Sequence, residues 1–173
     1  IQTFLANGQI ASRERMAADN GCTWTLGQVT EEFEQLHEKR EWRRKSMEEN
    51  GEWFGFKSQQ YYDMKAERDN VGAEILELSE WWNHQLNPDV VDVHHLMKYQ
   101  APKMVASRIK SFQNFLSTRG TIATSRMLVV ITGKGKSVIK ESVVQLLEQE
   151  QYNNLEWEDH NKGCNEGCII INF

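Results

Sequence analysis

The sequence has few cysteines and no long apolar run, and each shortage excludes a class of protein. Three cysteines in 173 residues do not make a disulfide framework, so we expect a cytoplasmic rather than a secreted protein. No apolar run reaches the roughly eighteen residues that a membrane helix needs, so we expect no membrane partner. The N-terminal segment lacks the basic start and apolar stretch of a signal peptide. Because the chain begins at Ile1 rather than at Met, we expect it to be a piece of a longer protein.

The cysteines near the C-terminus raise the question of a metal site. Cys164 and Cys168 form a C-x3-C pair, and His160 precedes them by four residues. Zinc sites usually draw four ligands from two paired clusters, and the sequence offers no second cluster. We therefore expect small residues that pack a turn and a strand, with no metal and no cofactor.

Charge is distributed unevenly along the chain, whose net charge is −5. Residues 1–88 carry ten Lys or Arg against sixteen Asp or Glu, whereas residues 89–173 carry ten against nine. From Lys98 to Lys140, nine basic residues follow one another with no acidic residue between them. Such a stretch is either a solvated basic face or a phosphate-binding surface, because cations on nucleic-acid phosphates release counterions. Its overlap with a glycine-rich loop favours phosphate binding.

The N-terminal half reads as two helices. Thr30 is a candidate cap for a first helix that runs to about Glu49 and is broken by Asn50-Gly51. Its apolar stripe is thin, so this helix either packs on a partner or remains a solvated arm. The basic patch over residues 39–45 is either a single-strand binder or a solvated helix face, and its flanking glutamates favour the latter. A second helix is predicted from Ser58 to about Gln85.

The C-terminal half alternates strands and helices. Val90–His94 and Met127–Ile131 are apolar, β-branched runs typical of strands. A helix follows each of them, one with Pro102 in its first turn and one capped by Ser137. Residues 155–158 and 168–173 close the chain as a hairpin. The sequence thus predicts an α/β domain over 88–173, a two-layer sandwich of a four-stranded sheet and two helices, preceded by a helical extension over 1–87.

Two segments carry residues suited to chemistry on a phosphodiester. Asp92 and His94 are two apart in a predicted strand and leave it on the same face, where a carboxylate can orient an imidazole for acid–base catalysis. The loop Gly133-Lys134-Gly135 follows the second strand at the edge where parallel α/β sheets bind ligands. Glycines let backbone N–H groups approach a phosphate, and Lys134 adds a positive charge. The spacing is not that of a Walker loop.

These two segments together resemble the Smr (small MutS-related) domain. Residues 91–96, VDVHHL, resemble the motif L-D-x-H-G-L that opens the domain, and residues 131–137, ITGKGKS, resemble its second motif, [HT]-G-x-G. The resemblance covers about residues 89–173. It implies a fold similar to the C-terminal domain of translation initiation factor three, and nicking or endonuclease activity on DNA or RNA. It also implies Asp92 and His94 as the acid–base pair and Lys134 as the basic residue of the second motif.

The partner is expected to be RNA. Eukaryotic members of the family that cut messenger RNA at stalled ribosomes, in no-go decay, carry this domain near their C-terminus. We therefore expect an endoribonuclease of mRNA surveillance. We expect it to be a monomer and to have the ribosome as a further partner. The residues expected to contact nucleic acid are His95, Lys98, Lys103, Arg126, Thr132, Gly133, Gly135 and Lys136.

The chain departs from the family pattern at two places, and other functions stay open. His95 stands where the family has glycine, and either adds a second imidazole or crowds the site. The late turn, residues 161–168, carries acidic and bulkier residues. With no carboxylate cluster for two-metal hydrolysis, we expect metal-independent cleavage. The alternatives are a non-catalytic RNA- or ribosome-binding module and a DNA-nicking domain of repair.

Overall fold

The protein is described by a computed structural model over residues 23–54, 58–119, 126–133, 138–160 and 167–173. Its helices are α1 (Leu26–Phe54), α2 (Gln59–His84), α3 (Ala101–Arg119) and α4 (Val138–Leu147), with a short 3-10 turn at Glu150–Tyr152. Its strands are β1 (Val90–Asp92), β2 (Met127–Ile131), β3 (Glu156–His160) and β4 (Cys168–Asn172). No described helix combines the length and the apolarity that crossing a bilayer requires.

The first helix is longer at both ends than the sequence predicts. Its N-terminus is a capping box, in which the Gln28 N–H donates to the Thr25 hydroxyl at 3.2 Å and the Thr25 N–H donates to Gln28 Oε1 at 2.8 Å. Thr30 therefore lies inside the helix and is not its cap. The predicted break at Asn50-Gly51 is also wrong, because the helix continues to Phe54. A single glycine costs a helix only about 1 kcal/mol, and packing along α2 outweighs that cost.

The second helix begins and ends where the sequence predicts. The Ser58 hydroxyl accepts a hydrogen bond from the Tyr61 N–H at 3.2 Å, and Gln85 is the C-cap. The residues buried along α2 are Val71, Gly72, Ile75, Ser79, Trp82 and Asn83.

Three of the five basic residues in the α1 patch form ion pairs with carboxylates. Lys39 pairs with Glu74 at 3.0 Å and Arg43 with Glu67 at 2.7 Å, both across to α2. Arg44 pairs with Glu41 and Glu48 on its own helix. These ion pairs favour the solvated helix face over a single-strand binder for this patch.

Within the described residues, four strands form one mixed sheet in the order β1-β2-β4-β3. β1 and β2 are parallel, with Asp92 opposite Ile131, whereas β4 is antiparallel to both β2 and β3. This confirms the predicted α/β class and the order of its elements. The first strand is shorter than predicted, because it ends at Asp92 and His94 lies in the turn that follows.

The helical extension and the sheet share one hydrophobic core. Phe33 of α1 and Ile75 and Trp82 of α2 belong to the same buried cluster as the β-strands and the helices α3 and α4. The thin stripe of α1 thus has a partner, and α1 is no solvated arm. Because burial of an aromatic or aliphatic side chain contributes about 1.5–3 kcal/mol, α1 and α2 contribute to the stability of the sheet that they cover.

Candidate functional site

The carboxyl ends of β1 and β2 bring the two chemical segments together. The strands are parallel, so both chains leave the sheet at the same edge. The Val93 N–H donates to the Ile131 carbonyl at 2.9 Å and fixes the start of both loops side by side. A Cβ placed on Gly133 would lie 3.3 Å from the Cβ of His94. The glycine loop therefore begins in contact with His94.

Asp92 and His94 form a hydrogen-bonded pair with unequal access to solvent. His94 Nδ1 lies 2.5 Å from Asp92 Oδ1, and the side chains are 21% and 2% exposed. A carboxylate only accepts, so Nδ1 donates and the lone pair of the neutral ring is on Nε2. The His94 N–H also donates to Asp92 Oδ1, at 3.3 Å. A buried carboxylate thus orients a partly exposed imidazole, the arrangement that a general base requires.

Asn83 of α2 holds the backbone of Asp92. Its Oδ1 accepts from the Asp92 N–H at 2.6 Å, and its Nδ2 donates to the Asp92 carbonyl at 2.8 Å. The side-chain amide therefore pairs with the outer edge of β1 as a neighbouring strand would. Trp82 Nε1 donates to Asp92 Oδ2 at 3.4 Å. Together these contacts fix both the backbone and the carboxylate of Asp92 from the N-terminal extension.

Thr132 and Gly133 connect the site to the late turn. The Thr132 N–H and hydroxyl both donate to the Gly167 carbonyl, at 2.7 and 3.0 Å. Thr132 is buried, so its hydroxyl holds the loop and does not face solvent. Gly133 has a φ of +87°, a conformation that costs residues with a Cβ about 1–2 kcal/mol. Glycine is therefore required here both by the backbone and by the nearness of His94.

His95 faces the N-terminal helix. Its ring stacks on Phe33 of α1, with centroids 4.2 Å apart and planes 15° from parallel. Its carbonyl accepts from His37 Nε2 at 2.7 Å, and its ring centroid lies 3.5 Å from that of His94. Of the two possibilities that the sequence leaves open, the structure favours a packing role: His95 fills the space between α1 and the His94 ring.

The basic residues of the acid-free stretch do not all reach one place. Lys98 and Lys103 are exposed, Lys98 in the connection that contains His94 and Lys103 in the first turn of α3. Arg126 precedes β2 and thus lies at the opposite end of that strand from Gly133. Lys140 is buried and forms an ion pair with Asp159. Only part of the stretch is therefore available to a ligand near the Asp92–His94 pair.

Several predicted site residues lie outside the described residues. They are Lys134, Gly135, Lys136 and the predicted cap Ser137, together with Cys164 and most of the late turn. Cys168 is described, and it is buried in β4. Within the described ranges, no three His, Cys, Asp or Glu side chains come together as metal ligands.

Asn83 lies outside both sequence motifs, but its spacing along α2 could have indicated its role. Ser79 and Asn83 continue the buried spacing of Val71 and Ile75 along α2. Asparagine is a poor residue for a helix interior unless its amide has specific partners. A polar pair in phase with an apolar stripe, just before the Asp92 strand, therefore indicates a buried hydrogen-bonding role.

Comparison with known proteins adds no family to this picture. No family model matches the chain, and neither a curated protein nor a solved structure is significantly similar to it.

Proposed function

We propose that the protein is an Smr-like endoribonuclease that cleaves RNA without a metal ion. The observation that carries the proposal is the Asp92–His94 pair at 2.5 Å, beside a glycine loop at the carboxyl edge of two parallel strands. The proposal is supported by an oriented imidazole in contact with Gly133, the first residue of a glycine-rich segment whose composition suits a phosphate. The resemblance to the Smr motifs supports the same conclusion.

In the proposed reaction, His94 moves a proton at the scissile phosphodiester. Its Nε2 takes the proton from the ribose 2′-OH as the 2′-oxygen bonds to phosphorus, and it passes that proton to the 5′-oxygen as the bond from phosphorus to the 5′-oxygen breaks. Asp92 keeps Nδ1 protonated and the ring oriented. The Gly133 loop and Lys134 stabilise the charge that develops on the phosphate oxygens. The products are a 2′,3′-cyclic or 3′-phosphate and a 5′-hydroxyl.

Mapping the ends of cleaved RNA tests this chemistry. We expect 5′-hydroxyl products that still form in EDTA, and a loss of about 10²–10⁴ in rate for His94→Ala, the usual contribution of general acid–base catalysis. Asp92→Asn should reduce the rate while leaving RNA affinity unchanged. Lys110→Ala on the exposed face of α3 is a matched control. A 5′-phosphate product, or cutting abolished by EDTA, would refute the mechanism.

We further propose that the substrate is messenger RNA at stalled ribosomes in the cytoplasm. Its support is the resemblance alone, and binding to purified ribosomes would test it.

A non-catalytic RNA- or ribosome-binding module is the second candidate. The internal engagement of Thr132, His95 and Lys140 favours it, because these groups are then unable to contact a scissile phosphate. Purified protein that binds RNA and never cuts it would establish this alternative. Faster cutting of a DNA strand than of the matched RNA would instead favour the repair role.

A further inference from the structure

A cleft of about 600 Å³ lies between α2 and α3. Its lining includes Asn83, whose amide binds the Asp92 backbone. Its rim includes Tyr99, which follows His94 by five residues in the same connection. A volume of this size holds a nucleotide or another molecule of similar dimensions. Asn83 therefore links the cleft to the candidate catalytic pair, and the cleft is large enough for a nucleotide.

The α3 wall of the cleft is basic. Lys103 and Arg108 line it, with the Ser107 hydroxyl between them. Among the described residues, the Lys103 side chain has no hydrogen-bond or ion-pair partner. Arg108 Nη2 donates to the Asn83 carbonyl at 2.8 Å. Burial lowers the pKa of Arg108 and Asp89 only partly opposes this, so the fold leaves the guanidinium charge incompletely compensated. An anion in the cleft would complete that compensation.

The other groups at the cleft suit a sugar and a base. Tyr99 is 57% exposed although it is aromatic. It lines the cleft together with Lys103 and directly follows Lys98 in the chain. An exposed ring beside ammonium groups is the combination that binds single strands, because bases stack on the ring while cations hold the backbone. On the α2 wall, the Glu80 carboxylate accepts hydrogen bonds from hydroxyl or amino groups.

We propose that this cleft binds a nucleotide of single-stranded RNA. The base stacks on Tyr99, and the phosphate binds Lys103 and Arg108. The proposal rests on the proposed function in taking RNA as the ligand, and it adds a binding subsite and a preference for unpaired strands. A duplex cannot present an unstacked base to Tyr99, so paired RNA is excluded from the cleft.

Binding is measured on the His94→Ala chain, so that cleavage does not interfere. The probe is a fluorescently labelled, unstructured RNA of about eight nucleotides, within the usual range of single-strand sites, followed by anisotropy at several salt concentrations. Tyr99→Ala should weaken binding about tenfold, the scale of one lost base stack, and Tyr99→Phe should restore it. Lys103→Gln should weaken binding and reduce the salt slope by about 0.7, the value for one phosphate contact on a single strand.

Matched controls separate the cleft from general electrostatics. Tyr62→Ala removes an exposed tyrosine of α2 outside the cleft, and Lys110→Gln removes an exposed lysine of α3 outside it. Equal losses in the controls, unchanged binding in both cleft variants, or preference for a duplex would overturn the proposal. Equal affinity for the matched single-stranded DNA would overturn the choice of RNA. If the unmutated protein never cuts RNA while the cleft variants lose binding, the nuclease proposal fails and the cleft proposal stands.

Discussion

At the scale of single residues, Asn83 connects α2 to the backbone of the candidate catalytic residue Asp92. Its amide is buried in α2 and satisfies both backbone groups of Asp92. A buried polar group that loses its partner costs about 1–3 kcal/mol. Asn83 thus couples the stability of the fold to the placement of the candidate catalytic carboxylate.

Replacing Asn83 should therefore affect both folding and cleavage. We expect Asn83→Ala to lower the free energy of unfolding by about 1–3 kcal/mol, measured by urea denaturation, and to lower kcat for RNA more than it changes KM. Asn70→Ala on the exposed part of α2 is the control and should stay within about 0.5 kcal/mol of the parent. A parent-like Asn83→Ala protein would show that the Asp92 backbone does not need this amide.

Asp89, just before β1, gives the fold a predictable response to pH. Burial raises the pKa of its carboxyl, and Arg108 lowers it by a smaller amount. An acid with a raised pKa holds more protons folded than unfolded, so its contribution to stability falls as pH rises through the window above its ordinary value of 3.8. Asp89→Asn should remove this fall. As the pH rises from 3, the urea midpoint of Asp89→Asn should increase relative to that of the parent protein. A difference that stays constant with pH would contradict a raised pKa for Asp89.

At the scale of elements, the turn after β2 depends on Gly133. We expect Gly133→Ala to cost about 1–2 kcal/mol through its positive φ, and to reduce cleavage because the new methyl group presses on His94. Gly27→Ala in α1 is a matched control, since its Cβ meets only Thr25 Oγ1 at 3.7 Å. That control should be neutral or stabilising by up to about 1 kcal/mol. Thermal denaturation of both variants decides the first effect, and a cleavage assay decides the second.

The elements that local sequence determines are the ones that could be predicted. The strand Met127–Ile131 and the start of a helix at Ser58 follow from local signals, and both are confirmed. The Thr25-x-x-Gln28 box was equally local, but the prediction placed the cap at Thr30. The helix was wrongly predicted to end at Gly51, because packing between the helices outweighs the poor helix propensity of glycine.

In the candidate site, too, local contacts could be predicted from the sequence and contacts between distant elements could not. The Asp92–His94 contact follows from their separation of two residues, although the strand ends before His94. The roles of Asn83 and Phe33 depend on how α2 meets β1 and how α1 meets the turn after it. Periodicity within one element contains no information on such pairings, which tertiary packing determines.

At the scale of the whole molecule, the shared core predicts that the C-terminal half is not independent. Trp82 and Ile75 of α2 are almost fully buried in the same cluster as β1 and β2. We expect a fragment of residues 88–173 to lack the single cooperative unfolding transition of the full chain, as followed by circular dichroism and tryptophan fluorescence. The full chain, measured in parallel, is the control. A cooperative 88–173 fragment of equal stability would contradict this expectation.

The two outer strands also bear on how the chain behaves at high concentration. β1 has three residues, and the Asn83 amide covers its outer edge at Asp92. β3 carries Glu156 and Glu158, both exposed, and charged side chains on an edge strand oppose pairing with a second chain. We therefore expect the native sheet to resist edge-to-edge aggregation. The amide that holds Asp92 in place thus also keeps a β-strand from acting as a template for fibrils.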